Sequence, residues 1–137
     1  MPQSIIDYGL EAALKGLCDS VKKYSPITID FRFIKEIEHT LNFEISIALF
    51  RIAQEGLNNI VKHANATHVD LHILDKEDEV YFILEDNGKG FDEKEKIHQA
   101  GSGLRNIKER AKLLNGSVDI HTALGMGTSI EIHIPIV

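Results

Sequence analysis

His68-Val69-Asp70-Leu71-His72-Ile73-Leu74-Asp75-Lys76-Glu77-Asp78-Glu79-Val80-Tyr81-Phe82-Ile83-Leu84-Glu85-Asp86-Asn87-Gly88-Lys89-Gly90 holds two strands, the turn between them and a glycine loop in one run. Val69, Leu71 and Ile73 alternate with His68, Asp70 and His72, the period of a half-buried strand. After the charged turn Asp75–Asp78, Val80, Phe82 and Leu84 alternate with Tyr81 and Ile83, so the two strands form a hairpin. Parity then puts Asp86 on the same face as Val80, Phe82 and Leu84. A carboxylate on an inward face needs a hydrogen-bonded partner or carries a heavy desolvation cost. A turn N–H, a structural water or the exocyclic amine of a purine would each serve.

On the N-terminal side, Leu10, Leu14, Leu17 and Val21 predict a helix from about Ser4 to Tyr24, stopped by Ser25-Pro26. Ile27, Ile29, Phe31 and Phe33 alternate as a strand, and Glu38 to Leu41 reads as a polar connection. From Asn42 to His63 the helical period returns through Ile45, Leu49, Ile52, Gly56 and Ile60. On the C-terminal side, a Lys/Glu-rich stretch runs from Asp92 to Gly101. Leu104, Ile107, Ala111 and Leu114 make a third helix with Asn115-Gly116 at its stop. Val118/Ile120 and Ile130/Ile132/Ile134 are two strands joined at Gly125-Met126-Gly127. This order predicts an α/β two-layer sandwich: a mixed, mostly antiparallel five-stranded sheet with about three helices on one face.

Three glycine clusters stand at the junctions: Asp86 to Gly90, Gly101-Ser102-Gly103-Leu104, and Gly125-Met126-Gly127-Thr128. Glycine lets a backbone approach a ligand closely, and the second cluster opens a helix, whose free N–H groups and dipole favour anions. Upstream, Arg51, Glu55, Asn59 and Lys62 share a helix face with His63 beside them. A solvated face would explain that stripe, but mid-helix Asn58-Asn59 is locally unfavourable unless an amide is needed. The Asn59 carbonyl could hold a Mg²⁺ ion that keeps most of its water and also binds phosphates. No Walker A loop, Rossmann fingerprint or serine/threonine-kinase signature is present.

The run Gln54-Glu55-Gly56-Leu57-Asn58-Asn59-Ile60-Val61-Lys62-His63-Ala64 resembles the N-box of bacterial sensor histidine kinases, of the class that signals to helix-turn-helix response regulators. The three clusters resemble the glycine boxes of the same family, and the likeness covers essentially residues 1–137 as one catalytic domain. It implies the Bergerat ATP-binding fold shared with gyrase-type ATPases. It implies that Asp86 accepts from the adenine amine, with Gly88 and Gly90 closing under the base. Asn59 would coordinate Mg²⁺ and Lys62 and His63 would lie near the phosphates. Gly101, Ser102, Gly103 and Leu104 would open the helix that takes the phosphate tail. Thr128 would support adenine, Glu55 would orient a Mg²⁺-bound water or help activate the acceptor, and Asp92 to Ala100 would be the ATP lid. Catalysis is thus assigned to Glu55, Asn59 and Lys62. Arg105-Asn106 departs from the family pattern, which often has a small residue before Met or Ile, and Asn106 is expected to be tolerated near the phosphates.

The family's phosphoacceptor lies on an upstream dimerisation hairpin, and none of the seven histidines has that helical context. The expected partners are that dimerisation domain and a response regulator. The domain is expected to be monomeric alone, its parent a homodimer, and its place the cytoplasmic portion of a membrane sensor. An anti-sigma-type serine kinase or a nucleotide-sensing docking module of the same fold are the alternatives. A net charge of −6 argues against non-specific nucleic-acid binding. A single cysteine, Cys18, excludes an internal disulfide and fits a reducing compartment. No apolar run reaches the length of a membrane span. For His68, Asp70 and His72, ordinary polar alternation is a better explanation than a metal site.

Overall fold

The computed structural model describes residues 2–92 and 101–136. Helix α1 (Gln3–Tyr24) leads to β1 (Thr28–Phe33), a 3₁₀ helix (Lys35–Thr40) and α2 (Phe43–Asn59). The hairpin β2 (His68–Lys76) and β3 (Glu79–Asp86) follows, then α3 (Gly101–Leu113), β4 (Ser117–Thr122) and β5 (Thr128–Pro135). The five strands lie in the order β1-β2-β3-β5-β4. β1 and β2 are parallel and the other pairs antiparallel, the mixed sheet expected. No helix among the described residues is long and apolar enough to cross a membrane.

The alternation read from the sequence becomes cross-strand rows. Phe31, Leu71, Leu84, Ile130 and Ile120 form one row and Phe33, Ile73, Phe82, Ile132 and Val118 the next, all turned toward the helices. Leu49, Ile52, Leu57 and Ile107 meet them from α2 and α3, each almost fully buried. Burying such a side chain contributes about 1.5–3 kcal/mol, so this face is the main source of stability. Cys18 is enclosed in the same core, and burial pushes its thiol up to about 11, which leaves it unreactive.

Three local features differ from expectation. The first helix is broken at Gly9 (φ 87°, ψ 174°). Glu38 fits into the break, and its Oε1 accepts from the Glu11 N–H at 3.1 Å, satisfying a donor of the helix that restarts there. The expected polar connection, Glu38 to Leu41, thus begins inside a 3₁₀ helix (Lys35–Thr40) that buries Ile37 and carries this capping carboxylate. Finally, α2, which Asn42 caps by accepting from the Ile45 N–H at 2.8 Å, gives way at Asn59 to a π-turn over Ile60–Ala64. A π-turn holds more residues per turn than the α-helical spacing that groups Lys62 with Glu55 and Asn59, and Lys62 is exposed here.

The stop of α3 follows the sequence closely. The Gly116 N–H reaches the Ala111 carbonyl at 2.8 Å and the Asn115 N–H that of Lys112 at 3.0 Å, a Schellman pattern. Asn115, not Gly116, takes the left-handed conformation (φ 59°).

Candidate functional site

The inner face of the sheet changes character in its last row. Beyond the apolar rows, Asp86, Thr128 and Thr122 stand opposite one another on β3, β5 and β4. Over this row, between the sheet and the helices, opens a cleft lined by Gly56, Asn59, His63, Asp86, Leu104 and Thr128. Ile60, Ala64, Leu84, Gly90, Phe91 and Ile130 complete its walls, most of them apolar. An apolar slot with a few convergent polar groups suits a flat heteroaromatic ligand.

Asp86 is only 8% exposed, on the inward side that strand parity gives. Its Oδ1 accepts from the Gly88 N–H at 2.8 Å. Burial pushes its carboxyl above the usual carboxylate value, against the opposing pull of backbone hydrogen bonds from Gly88 and Thr128. A further donor arriving from the cleft would favour the ionised form against this burial.

The loops around Asp86 are tied to one another through the backbone. The Lys89 N–H bonds the Ala64 carbonyl at 2.8 Å, and the Gly125 N–H bonds the Lys89 carbonyl at 2.6 Å. Gly90 has φ +66°, and a side chain there would collide with the Ala123 carbonyl. Asn87 Oδ1 accepts from the N–H groups of Thr67 and His68 at 2.9 and 3.0 Å, and its amide donates to Thr67 Oγ1. Thr122 Oγ1 accepts from the Phe91 N–H at 2.9 Å and lies 2.9 Å from Thr128 Oγ1.

At the other end, α3 begins against α2. A Cβ on Gly103 would lie 3.0 Å from Asn59 Oδ1 and closer still to its Nδ2, so any larger residue there would displace the Asn59 amide. Asn106 Nδ2 approaches Glu55 Oε1 at 3.5 Å, a long contact. The amide oxygen of Asn59 is a hard donor of the kind a hydrated Mg²⁺ accepts.

Of the residues expected at a site, Asn59, His63, Asp86, Gly90, Leu104 and Thr128 line the cleft together. Gly103 abuts Asn59 and Glu55 lies against Asn106. Gly101 and Ser102 open α3. Gly88 is used in docking its loop on Ala64, and Lys62 is exposed and absent from the walls. Most of the expected lid, residues 93–100, lies outside the described residues. Sequence reasoning missed Thr122, Asn87 and Phe91. Hairpin register would have put Thr122 opposite Thr128, whereas nothing local marks Asn87 or Phe91.

Residues 44–137 match the family described as histidine kinase-, DNA gyrase B- and HSP90-like ATPases. The chain belongs to that family. Among curated relatives it is 39% identical over 130 residues to the signal transduction histidine-protein kinase/phosphatase DegS of Brevibacillus brevis, covering 95% of this chain and 33% of the relative. It is 34% identical to DegS of Bacillus subtilis (strain 168), covering 98% and 36%. The chain thus spans about a third of the length of these relatives. The fold matches the histidine kinase domain of the Erythrobacter litoralis EL346 blue-light activated histidine kinase, with TM-score 0.79 and 19% identity over 93% of this chain and 61% of that one. It also matches the Acinetobacter baumannii histidine kinase AdeS, with TM-score 0.70 and 13% identity over 93% and 62%. The family match together with the DegS likenesses supports a GHKL-type ATP-binding domain of the sensor histidine kinase kind, and the solved structures share its fold.

Proposed function

We propose that this domain binds Mg·ATP and presents its γ-phosphate to a histidine on a separate dimerisation domain, for relay to a response regulator. The observation that carries the reading is the buried Asp86 carboxylate in the wall of an apolar slot that also holds Asn59, with the start of α3 packed against Asn59. Adenine offers a donor amine to Asp86, with the Thr128 and Thr122 hydroxyls beside it. Guanine carries a carbonyl at the equivalent ring position, which an ionised carboxylate repels. The triphosphate would extend toward Asn59, His63 and the opening N–H groups of α3.

Magnesium, held through Asn59, would supply charge neutralisation on the phosphates. The protein's own share is positioning: Asp86 fixes the base, Asn59 and α3 fix the tail, and the apolar walls exclude water. Glu55, 3.5 Å from the Asn106 amide, would orient a water or help activate the incoming acceptor. Lys62 would act from the rim, by the reach of its side chain. The whole of residues 1–137 would serve as the catalytic portion of a longer homodimeric kinase, working in the cytoplasm.

Calorimetric titration with ATP, GTP and a non-hydrolysable ATP analogue, with and without Mg²⁺, tests this. Mg²⁺-dependent binding of adenine nucleotides with GTP rejected is expected. Absence of binding to the folded domain would overturn the reading.

A further inference from the structure

The opposite face of the sheet has its own chemistry. Its first row across β1, β2 and β3 is Asp30, Asp70 and Glu85, three carboxylates directly opposite one another. Like charges so placed repel, and burying none of them does not remove the repulsion. The next row brings Arg32 beside His72. Asp30 Oδ2 lies 3.1 Å from His72 Nε2 and 3.1 Å from Arg32 Nε. Arg32 is the permanent cation of this seam, so three carboxylates leave it with surplus negative charge.

We infer that Asp30, Asp70 and His72 form a site for one divalent transition-metal ion, which clamps edge strand β1 to β2. One ligand atom from each residue falls in a group whose members all lie within 4.8 Å of one another, the spacing a single ion can bridge by small side-chain rotations. Two carboxylates and an imidazole on an otherwise open surface suit zinc or its neighbours better than Mg²⁺ or Ca²⁺, which take oxygen ligands. His68 belongs to the support: its Nδ1 lies 2.7 Å from Thr28 Oγ1 and its Nε2 3.0 Å from Asp70 Oδ1, which orients that carboxylate. His72 is the most enclosed of the set, its side chain 21% exposed, so its ring is already held at the seam. On ligation His72 Nε2 exchanges its contact with Asp30 for the ion, and the ring proton resides on Nδ1. Arg32, 68% exposed, competes with the ion for Asp30. In sequence, His68-Asp70-His72 looked like mere alternation because the deciding carboxylate, Asp30, comes from a strand about forty residues away.

The test is titration of the domain with ZnCl₂, read by calorimetry and by hydrogen exchange of the β1 amides. One saturable equivalent is expected, with slower exchange over Thr28–Phe33. His72→Ala and Asp70→Asn should each weaken binding at least tenfold, while His121→Ala and His133→Ala, elsewhere on the same face, leave it unchanged. Arg32→Ala alters only an exposed side chain and should tighten binding severalfold, so the inference stays testable if the other variants fold poorly. Absence of saturable binding, undiminished binding in His72→Ala, or no tightening in Arg32→Ala would overturn it.

Discussion

The two ends of the cleft are built from different materials. Around Asp86 the wall is backbone: loops from β3, the β4–β5 turn and the end of α2 hold one another through Lys89, Gly125 and Ala64. Around Asn59 the wall is side chain, with a glycine approach at Gly103 and one long contact between Asn106 and Glu55. At the backbone-built end a side chain added at Gly90 meets the Ala123 carbonyl and disturbs the fold. The side-chain end can lose function and keep its structure. On the proposed reading, selectivity for a base would fall where the backbone fixes the wall, and contact with the phosphates where side chains can adjust.

The largest expected effect breaks the backbone end. Gly90→Ala forces a Cβ into the Ala123 carbonyl at φ +66°. It should cost about 3 kcal/mol of stability from overpacking and the left-handed penalty together. A denaturant melt would show it, and nucleotide binding should fall with it. A melt like that of the parent would mean that the loops are not mutually locked.

Asn59→Ala addresses the other end. Mg²⁺-dependent nucleotide affinity should fall by roughly 10- to 100-fold, the loss of about 1.5–3 kcal/mol typical of a hydrogen bond to a charged group. The melt should move by less than about 0.5 kcal/mol. Parent-like affinity in Mg²⁺ would remove Asn59 from the phosphate end.

Asp86→Asn sharpens the contrast through base choice and pH. The ATP-over-GTP preference should shrink by about tenfold, roughly 1.4 kcal/mol. In the fold the Asp86 carboxyl keeps its proton to higher pH than the ordinary value of 3.8. It therefore favours the folded state below that value and becomes a cost as pH rises through its raised folded value. The stability of the parent relative to Asp86→Asn should decline with rising pH across that window. A flat difference would mean that burial does not perturb the group. The smallest effect belongs to Asn106→Ala: the 3.5 Å contact with Glu55 should contribute under about 0.5 kcal/mol to stability. Any defect should appear in phosphotransfer rate, measured with the acceptor domain added.

The sheet was legible because its signals are local. Alternation at Val69–Ile73 and Val80–Leu84, with a charged turn between, permits one hairpin register if the apolar sides are to be buried together. Parity alone put Asp86 inward. The break at Gly9 was not legible, because its partner is Glu38, far along the chain. The π-turn was invisible for the same kind of reason: 3.6-residue periodicity assumes a regular helix, and Lys62 was grouped with Asn59 on that assumption.

By itself the sequence determined the order of the strands and the three main helices, the inward and outward faces of each strand and the glycine junctions, since these follow from spacing along one chain. Only the tertiary structure decided that Thr122 completes the Asp86 row, that Asn87 ties its loop to β2, and that Asp30 joins Asp70 and His72. Those pairings depend on which distant strands become neighbours, a choice made by burial of the whole core and written in no single segment.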